Sequence, residues 1–174
     1  HELGVFTGKS IHYGGSLVRN EATGWGLAQS VLEWSKINNI DLRNKTYIIQ
    51  GLGNVGYHAI NKLSEYGMIM LGAGDHTGYI VNKEGLEVKN LLCHISKNRL
   101  DSFDRDNLVD KNTFFSTPCD VIIPAALQDQ ILGEEANNIN CKLIVEGANG
   151  PMDNLAERLL MDRGIDIIPD IYAN

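Results

Sequence analysis

The residues best suited to chemistry lie in one stretch, where three glycines precede an acidic side chain. Gly51, Gly53 and Gly56 follow the pattern G-x-G-x-x-G, and Asp75 comes 24 residues after Gly51. Glycines at this spacing permit a tight turn, let a diphosphate approach the backbone and let a helix pack closely on a strand. A carboxylate about 20 residues further on can accept hydrogen bonds from ribose hydroxyls. The pattern predicts a dinucleotide site; the alternative is a turn that serves packing alone, with Asp75 in a solvated loop.

The neighbouring sequence predicts the elements that would position these residues. Thr46–Gln50 is a β-branched and aromatic run typical of a strand, and a second apolar run at residues 68–71 leads to Asp75. A helix begins near Asn54, and its free N–H groups and dipole favour a phosphate. One face of this helix is apolar at helical spacing and consists of Val55, Ala59, Ile60 and Leu63.

Strands and helices alternate along the rest of the chain. An earlier helix begins at residues 20–23 and ends at residues 37–39; Gly24 and Gly26 in its first turns suggest that another group comes close there. Residues 96–117 are polar and weakly patterned, which predicts a loop that carries little of the chemistry. Further strands are predicted at residues 79–81, 120–123, 143–145 and 165–168, and further helices at residues 86–95, 133–138 and 154–163, the last with Leu155, Leu159 and Leu160 inward.

This alternation predicts an α/β domain over residues 1–174 with a Rossmann-like, doubly wound fold. The sheet would be mostly parallel, with helices on both faces. In such sheets ligands bind beyond the carboxyl ends of the strands. The glycine turn and Asp75 both fall at those ends, so one nucleotide lying across the sheet edge would contact them.

Composition narrows the classes of partner. The net charge of −7 and the lack of any Lys or Arg block argue against nucleic acid, and no apolar run is long enough for a membrane span. Cys93, Cys119 and Cys141 are widely spaced, which predicts reduced, buried thiols and neither a disulfide framework nor a metal site. Reduced thiols favour the cytoplasm, with mitochondria as the alternative. The chain begins with His rather than Met and looks like a piece of a longer protein.

Several segments resemble one enzyme family. Residues 14–26, GGSLVRNEATGWG, resemble the segment that leads into the coenzyme domain of hexameric glutamate dehydrogenases, and residues 5–9 resemble its lead-in. Residues 50–56, 123–126, 145–151 and 169–174 are similar to later signatures of the family. The match covers nearly the whole chain. It implies the NAD(P)-binding domain of an enzyme that reversibly deaminates L-glutamate to 2-oxoglutarate and ammonia.

The resemblance also implies roles for individual residues. Thr23 and Asn174 would hold the nicotinamide carboxamide, and Asn149 would lie near the nicotinamide ribose and the substrate. Arg19 would lie near the charged end of the substrate, with a structural salt bridge as the alternative. The remaining coenzyme-binding positions are Gly51, Gly53, Asn54, Val55, Gly56, Asp75, Ala125 and Ala126.

The same resemblance limits what this chain would do. The family's catalytic lysine and aspartate belong to a substrate domain that nothing here matches, and the helices after residue 174 are missing too. We therefore expect no catalytic residue and no activity in the chain alone. The complete protein would be a homo-hexamer, whereas this piece would be monomeric or weakly associated.

The coenzyme and the substrate leave alternatives. Asp75 predicts NAD, because a carboxylate repels a 2′-phosphate; His76, Thr77 and Lys83 would offer donors to that phosphate, so NADP or dual use is the alternative. A leucine, phenylalanine or valine dehydrogenase would share the coenzyme fold. A nucleotide-binding regulatory module without catalysis is the remaining alternative.

Overall fold

The computed structural model describes residues 8–173, and seven strands among them form one sheet. The strands are β1 (Thr46–Gln50), β2 (Ile69–Asp75), β3 (Gly78–Val81), β4 (Leu108–Val109), β5 (Val121–Pro124), β6 (Leu143–Val145) and β7 (Asp166–Ile168). Their order across the sheet is β4-β3-β2-β1-β5-β6-β7. Five neighbouring strands, from β2 to β7, are parallel, while β3 and β4 are added antiparallel at one edge. The mostly parallel sheet is confirmed.

Seven α-helices in the described residues flank this sheet. They are α1 (Arg19–Ile37), α2 (Asn54–Glu65), α3 (Val88–Ile95), α4 (Lys111–Phe115), α5 (Gly133–Asn138), α6 (Asn154–Asp162) and α7 (Asp170–Ala173). Carboxylate side chains cap the N-termini of three of these helices. Glu87, Asp110 and Asp153 each accept a hydrogen bond from a backbone N–H in the first turn. Such caps supply acceptors for N–H groups that the helix itself leaves unpaired.

Two apolar layers, one on each face of the sheet, confirm the doubly wound arrangement. Tyr47 and Ile49 of β1 point into the first layer, with buried residues of α1, α2 and α3. Ile48 points into the second layer, with buried residues of α4, α5 and α6. Side chains alternate between the faces of a strand, so a run that is apolar throughout is buried on both sides.

The structure corrects the prediction for residues 96–117. This stretch contains β4 and α4, and both Phe114 and Phe115 of α4 are buried in the second layer. Two adjacent aromatic residues are too short a pattern to show the helical period, so this helix could not be predicted from periodicity. The stretch also reaches the candidate site, as described below.

Two smaller predictions are also wrong. Leu155 is 58% exposed, and Ala156 takes the inward position beside Leu160. Cys93 is exposed, whereas Cys119 and Cys141 are partly buried, and burial raises the pKa of both of these thiols.

The two early glycines of α1 have a structural role. A Cβ at Gly24 would lie 2.6 Å from the backbone oxygen of Val55 and 2.8 Å from the nitrogen of Ala59, both in α2. Gly26 lies beside α7, where a Cβ would be 3.8 Å from the oxygen of Ala173. The group that comes close to Gly24 is therefore a neighbouring helix.

Residues 8–173 include no helix with the length and apolar character needed to cross a membrane. Within the same range, no cluster of three or more His, Cys, Asp or Glu side chains is arranged to hold a metal ion.

Candidate functional site

A pocket of about 580 Å³ lies at the carboxyl ends of β1, β2 and β5. Its walls are the turn at residues 51–53, the hairpin at residues 75–77 and the segment at residues 125–127. Ile95, Asn98 and Arg99, at and after the end of α3, complete one side. The pocket lies where the connections that follow the neighbouring strands β1 and β5 run to opposite faces of the sheet, because α2 packs in the first layer and α5 in the second. This is the usual ligand position in doubly wound folds.

The three glycines of the turn have different surroundings. Gly51 has φ of 104°, and a Cβ there would lie 2.4 Å from the oxygen of Ala125. A Cβ at Gly56 would lie 1.9 Å from the oxygen of Gly51. At Gly53, in contrast, a Cβ would meet no atom of the described chain within 4 Å. Gly51 and Gly56 are thus required by the protein's own packing, whereas the space beside Gly53 is open to a ligand.

Helix α2 begins directly after this open space. Gly53 is its N-cap, no side chain caps it, and no acidic residue lies in its first turn. Its first N–H groups are therefore available to an anion, and the helix dipole favours negative charge there. Asn54 is the first helical residue, and its side-chain amide donates a hydrogen bond to the backbone oxygen of Asn20 in α1.

Asp75 lies across the pocket, as the last residue of β2. Its Oδ1 accepts hydrogen bonds from the backbone N–H of Thr77 at 2.7 Å and from the Thr77 hydroxyl at 2.6 Å. Its Oδ2 accepts no hydrogen bond from residues 8–173. One oxygen thus fixes the orientation of the carboxylate, and the other is left for a ligand hydroxyl.

A basic side chain beside Asp75 was not identified from the sequence. Arg99 lies on the pocket wall and pairs with Asp101 at 2.6 Å, and the backbone N–H of Asp101 donates to the Thr77 hydroxyl at 3.3 Å. The guanidinium is therefore linked to Asp75 through two intervening residues. No sequence pattern indicates Arg99, because its position depends on how α3 packs against the sheet.

Polar side chains form another part of the pocket wall. Gln50, at the end of β1, is only 3% exposed and donates to the hydroxyl of Tyr79 at 3.0 Å and to Oε1 of Gln130 at 2.8 Å. Its own Oε1 is buried and has no partner among the described residues. These bonds join β1, β3 and the segment after β5 beneath the pocket. Tyr79 and Gln130 were also missed at the sequence level.

The other predicted positions lie around this pocket. Ala125 and Ala126 line it, and the backbone N–H of Ala125 donates to the oxygen of Gln50 at 2.6 Å. Val55 is partly buried in the first turn of α2, whereas Asn149 is exposed in the loop after β6. Thr23 is partly exposed and next to Gly24, the residue of α1 that contacts α2.

Two of the predicted site residues, Arg19 and Asn174, are not among the described residues that line the pocket. Arg19 is exposed at the start of α1 and forms no ion pair within residues 8–173, so those residues do not supply the salt bridge that was its alternative role. Asn174 and residues 5–7 of the family lead-in lie outside the described residues.

A strand, a glycine turn, an uncapped helix start and a carboxylate on the next strand together define the class. The chain is a Rossmann-like, nucleotide-binding type of α/β domain. The Glutamate/Leucine/Phenylalanine/Valine dehydrogenase family model matches residues 14–174. The chain belongs to this family, which confirms the resemblance seen in the sequence.

Individual relatives agree with this assignment. The chain is 36% identical over 181 residues to a protein of Peptoniphilus asaccharolyticus named NAD-specific glutamate dehydrogenase, covering 99% of this chain and 42% of that protein. It is 35% identical to the glutamate dehydrogenase of Aeropyrum pernix, covering 99% of this chain and 41% of that protein. The crystal structure of the hetero-hexameric glutamate dehydrogenase of Thermus thermophilus in a leucine-bound form has a TM-score of 0.87 at 28% identity, over 98% of this chain and 40% of that one. The chain spans about two fifths of the length of these relatives.

Proposed function

We propose that this chain is the coenzyme-binding domain of an NAD-dependent glutamate dehydrogenase. The complete enzyme would convert L-glutamate reversibly to 2-oxoglutarate and ammonia. When bound, the nicotinamide ring would accept a hydride from the substrate Cα. The observation that carries the proposal is the open space at Gly53, which lies between an uncapped helix start and the free oxygen of Asp75.

The residues present fit such a coenzyme. A diphosphate would occupy the space beside Gly53 and accept hydrogen bonds from the first N–H groups of α2. Asp75 Oδ2 would accept hydrogen bonds from the adenosine ribose, and the small side chains of Ala125 and Ala126 would leave room for the sugar. Thr23 and Asn149, with Asn174, would hold the nicotinamide half.

NAD is proposed over NADP because of Asp75. Its carboxylate would meet a 2′-phosphate that carries a charge of about −1.5 to −2 at neutral pH. Arg99 is the observation that favours NADP, since its side chain is 69% exposed on the same pocket. Asp101 holds that guanidinium, and a bidentate or close ion pair competes with a phosphate for it. The relative from Peptoniphilus asaccharolyticus, named as NAD-specific, supports the same choice.

Calorimetric titration of the chain with NAD and with NADP tests the proposal. We expect saturable binding of NAD and at least about tenfold weaker binding of NADP, equivalent to about 1.4 kcal/mol. Tighter binding of NADP would overturn the coenzyme preference. No binding of either compound by the folded chain would overturn the proposed function.

Glutamate is proposed as the substrate because both sequence relatives described above are glutamate dehydrogenases. The complete protein should therefore oxidise glutamate with a higher kcat/KM than leucine, phenylalanine or valine. A higher kcat/KM for leucine, phenylalanine or valine would assign the protein to the corresponding dehydrogenases of the family. Coenzyme binding without turnover of any of these amino acids would indicate a regulatory module. By analogy with the hetero-hexameric Thermus thermophilus protein, we propose that the complete protein forms a hexamer, and we expect its subunits to be identical.

A further inference from the structure

A buried carboxyl group lies just beyond the proposed coenzyme contacts. Glu146 follows the last residue of β6 and is 8% exposed. Its Oε2 accepts a hydrogen bond at 2.9 Å from the backbone N–H of Asp170, the first residue of α7. No role in binding the coenzyme was assigned to Glu146 from the sequence.

A second hydrogen bond runs in the opposite direction. The backbone N–H of Gly150 donates to Oδ2 of Asp170 at 2.7 Å. Glu146 and Asp170, here called the carboxylate clip, therefore join the loop after β6 to the start of α7 at two points. Because both acceptors are side chains and both donors are backbone groups, the clip fixes the main chain of both segments.

The clip holds the segments that would carry the nicotinamide half of the coenzyme. Asn149 lies in the loop between Glu146 and Gly150, and α7 leads directly to residue 174. The carbonyl of Ala173, at the end of α7, lies beside Gly26 of α1, the helix that carries Thr23. Two of the proposed nicotinamide contacts are therefore linked to the clip: Asn149 lies in a segment that the clip joins, and Thr23 lies on the helix that packs against α7.

Helix α7 has little else to hold it. It is four residues long, and its two central side chains, Ile171 and Tyr172, are 91% and 74% exposed. A single helical turn is unstable by itself, because nucleation costs more conformational entropy than one turn of hydrogen bonds repays. Its position therefore depends on the burial of Ala173, on the clip and on the preceding strand β7, where the oxygen of Ile168 accepts from the backbone N–H of Glu146 at 3.0 Å.

The clip also has an electrostatic cost. Burial raises the pKa of the Glu146 carboxyl, and the nearby carboxylates of Asp170 and Glu157 raise it further. Within residues 8–173, no Lys or Arg pairs with Glu146. A buried carboxyl group without a paired cation contributes little to the free energy of folding. We therefore look for the role of Glu146 in the main-chain geometry that its hydrogen bond imposes.

We propose that Glu146 and Asp170 are positioning residues for the nicotinamide half of the coenzyme. This inference rests on the proposed function. The clip sets the loop of Asn149 and the path of α7 beside α1, so that Asn149 and Thr23 meet the nicotinamide and its ribose together. The clip's own hydrogen bonds reach none of the proposed adenosine contacts, which lie at or just after the ends of β1, β2 and β5.

The test compares two ligands on the same chain. NAD and ADP-ribose share the adenosine and the diphosphate, but only NAD carries nicotinamide. We expect the substitution Glu146→Ala to weaken NAD binding about tenfold in calorimetric titration while ADP-ribose binding changes less than about twofold. Glu146→Gln keeps an oxygen that can accept from the Asp170 N–H, so it should bind NAD nearly as the parent chain does.

A second variant tests the same inference if Glu146→Ala does not fold. Asp170→Ala removes the other acceptor and should cause the same selective loss of NAD affinity, while Asp170→Asn should restore it. If a variant lost the same affinity for NAD and for ADP-ribose, the positioning role would be refuted. The same holds if the parent chain bound both ligands equally well. Neither result would contradict the proposed function. Absence of binding of both ligands by the parent chain would instead refute the proposed function.

Discussion

Gly53 and Gly56 belong to the same glycine motif, but a methyl group would meet different surroundings at the two positions. At Gly53 nothing in the described chain lies within 4 Å of an added Cβ, whereas at Gly56 the oxygen of Gly51 would lie 1.9 Å away. Gly53 also has φ of −71°, which any residue adopts. Neither the backbone nor the packing of the described chain thus requires a glycine at this position, which fits the proposed diphosphate site.

Replacing each glycine by alanine should separate these two roles. We expect Gly53→Ala to unfold within about 2 °C of the parent chain and to bind NAD at least about tenfold more weakly, because its methyl group occupies the diphosphate position. Gly56→Ala should lower the free energy of unfolding by about 1–3 kcal/mol, as expected for overpacking. Thermal unfolding and calorimetry on both variants measure the contrast. Unchanged NAD binding by Gly53→Ala would contradict the proposed diphosphate position.

The carboxylate of Asp75 should set the preference between NAD and NADP. Asp75→Asn keeps the oxygen that accepts from Thr77 and replaces the free carboxylate oxygen by an amide donor. We expect the ratio of NADP to NAD affinity to rise about tenfold, since a repulsive charge is removed beside the 2′-phosphate. Binding of both coenzymes measured in parallel gives the ratio. A ratio that does not change would assign the preference to another group.

Arg99 gives that experiment a matched comparison. Asp101→Asn removes the charge that now pairs with Arg99 and leaves Asp75 intact. If Arg99 can turn to a phosphate, this variant should also favour NADP, and the double variant should exceed either single one. The effects of Asp75→Asn and Asp101→Asn are coupled through Thr77, so the effect of the double variant need not equal the sum of the two.

At the scale of the elements, Asp120 joins three strands at the end of the sheet opposite the pocket. Its Oδ2 accepts from the backbone N–H of Thr46 at 3.0 Å and from the Thr46 hydroxyl at 3.2 Å, and its Oδ1 pairs with Lys142 at 2.9 Å. Burial alone would raise the pKa of Asp120, but the Thr46 N–H and the Lys142 ammonium together lower it below its ordinary value. This carboxylate ties the starts of β1, β5 and β6.

The lowered pKa of Asp120 predicts a loss of stability in acid. The ionised form is favoured in the folded state, so its contribution is present above the ordinary pKa of 3.8 and is lost as the pH falls through the lower folded value. Asp120→Asn should lower the midpoint of thermal unfolding near neutral pH and should flatten its decline between about pH 5 and about pH 2. Parallel melting curves test this. An identical acid profile in the variant would show that other carboxylates account for the decline.

What could be predicted from the sequence depended on how local the signal was. Strand β1 and the turn after it follow from five adjacent residues and three glycines, so their positions were predicted closely. The neighbours of Gly24 and the place of Arg99 depend on the packing of α1 on α2 and of α3 on the sheet. No local pattern encodes such contacts. Leu155 was assigned inward because its type fits a helix core, but the helix turns Ala156 to the sheet side instead.

At the scale of the whole molecule, the chain corresponds to about two fifths of its relatives. We propose that this domain binds the coenzyme and that the remaining three fifths supply the catalytic residues and most of the substrate contacts. We expect the 174-residue chain to bind NAD and to form no NADH from glutamate, as followed by absorbance. Size-exclusion chromatography with light scattering should also show a monomer or a weak dimer. Turnover by this chain alone would contradict that division.

The most direct measurement of the central claim is residue-by-residue mapping of NAD binding by amide chemical shifts in the ¹⁵N-labelled chain. The account predicts the largest shifts at the amides of residues 53–56, where the diphosphate would bind, and at residues 75–77 beside the ribose. Shifts concentrated elsewhere, or none at saturating NAD, would contradict it.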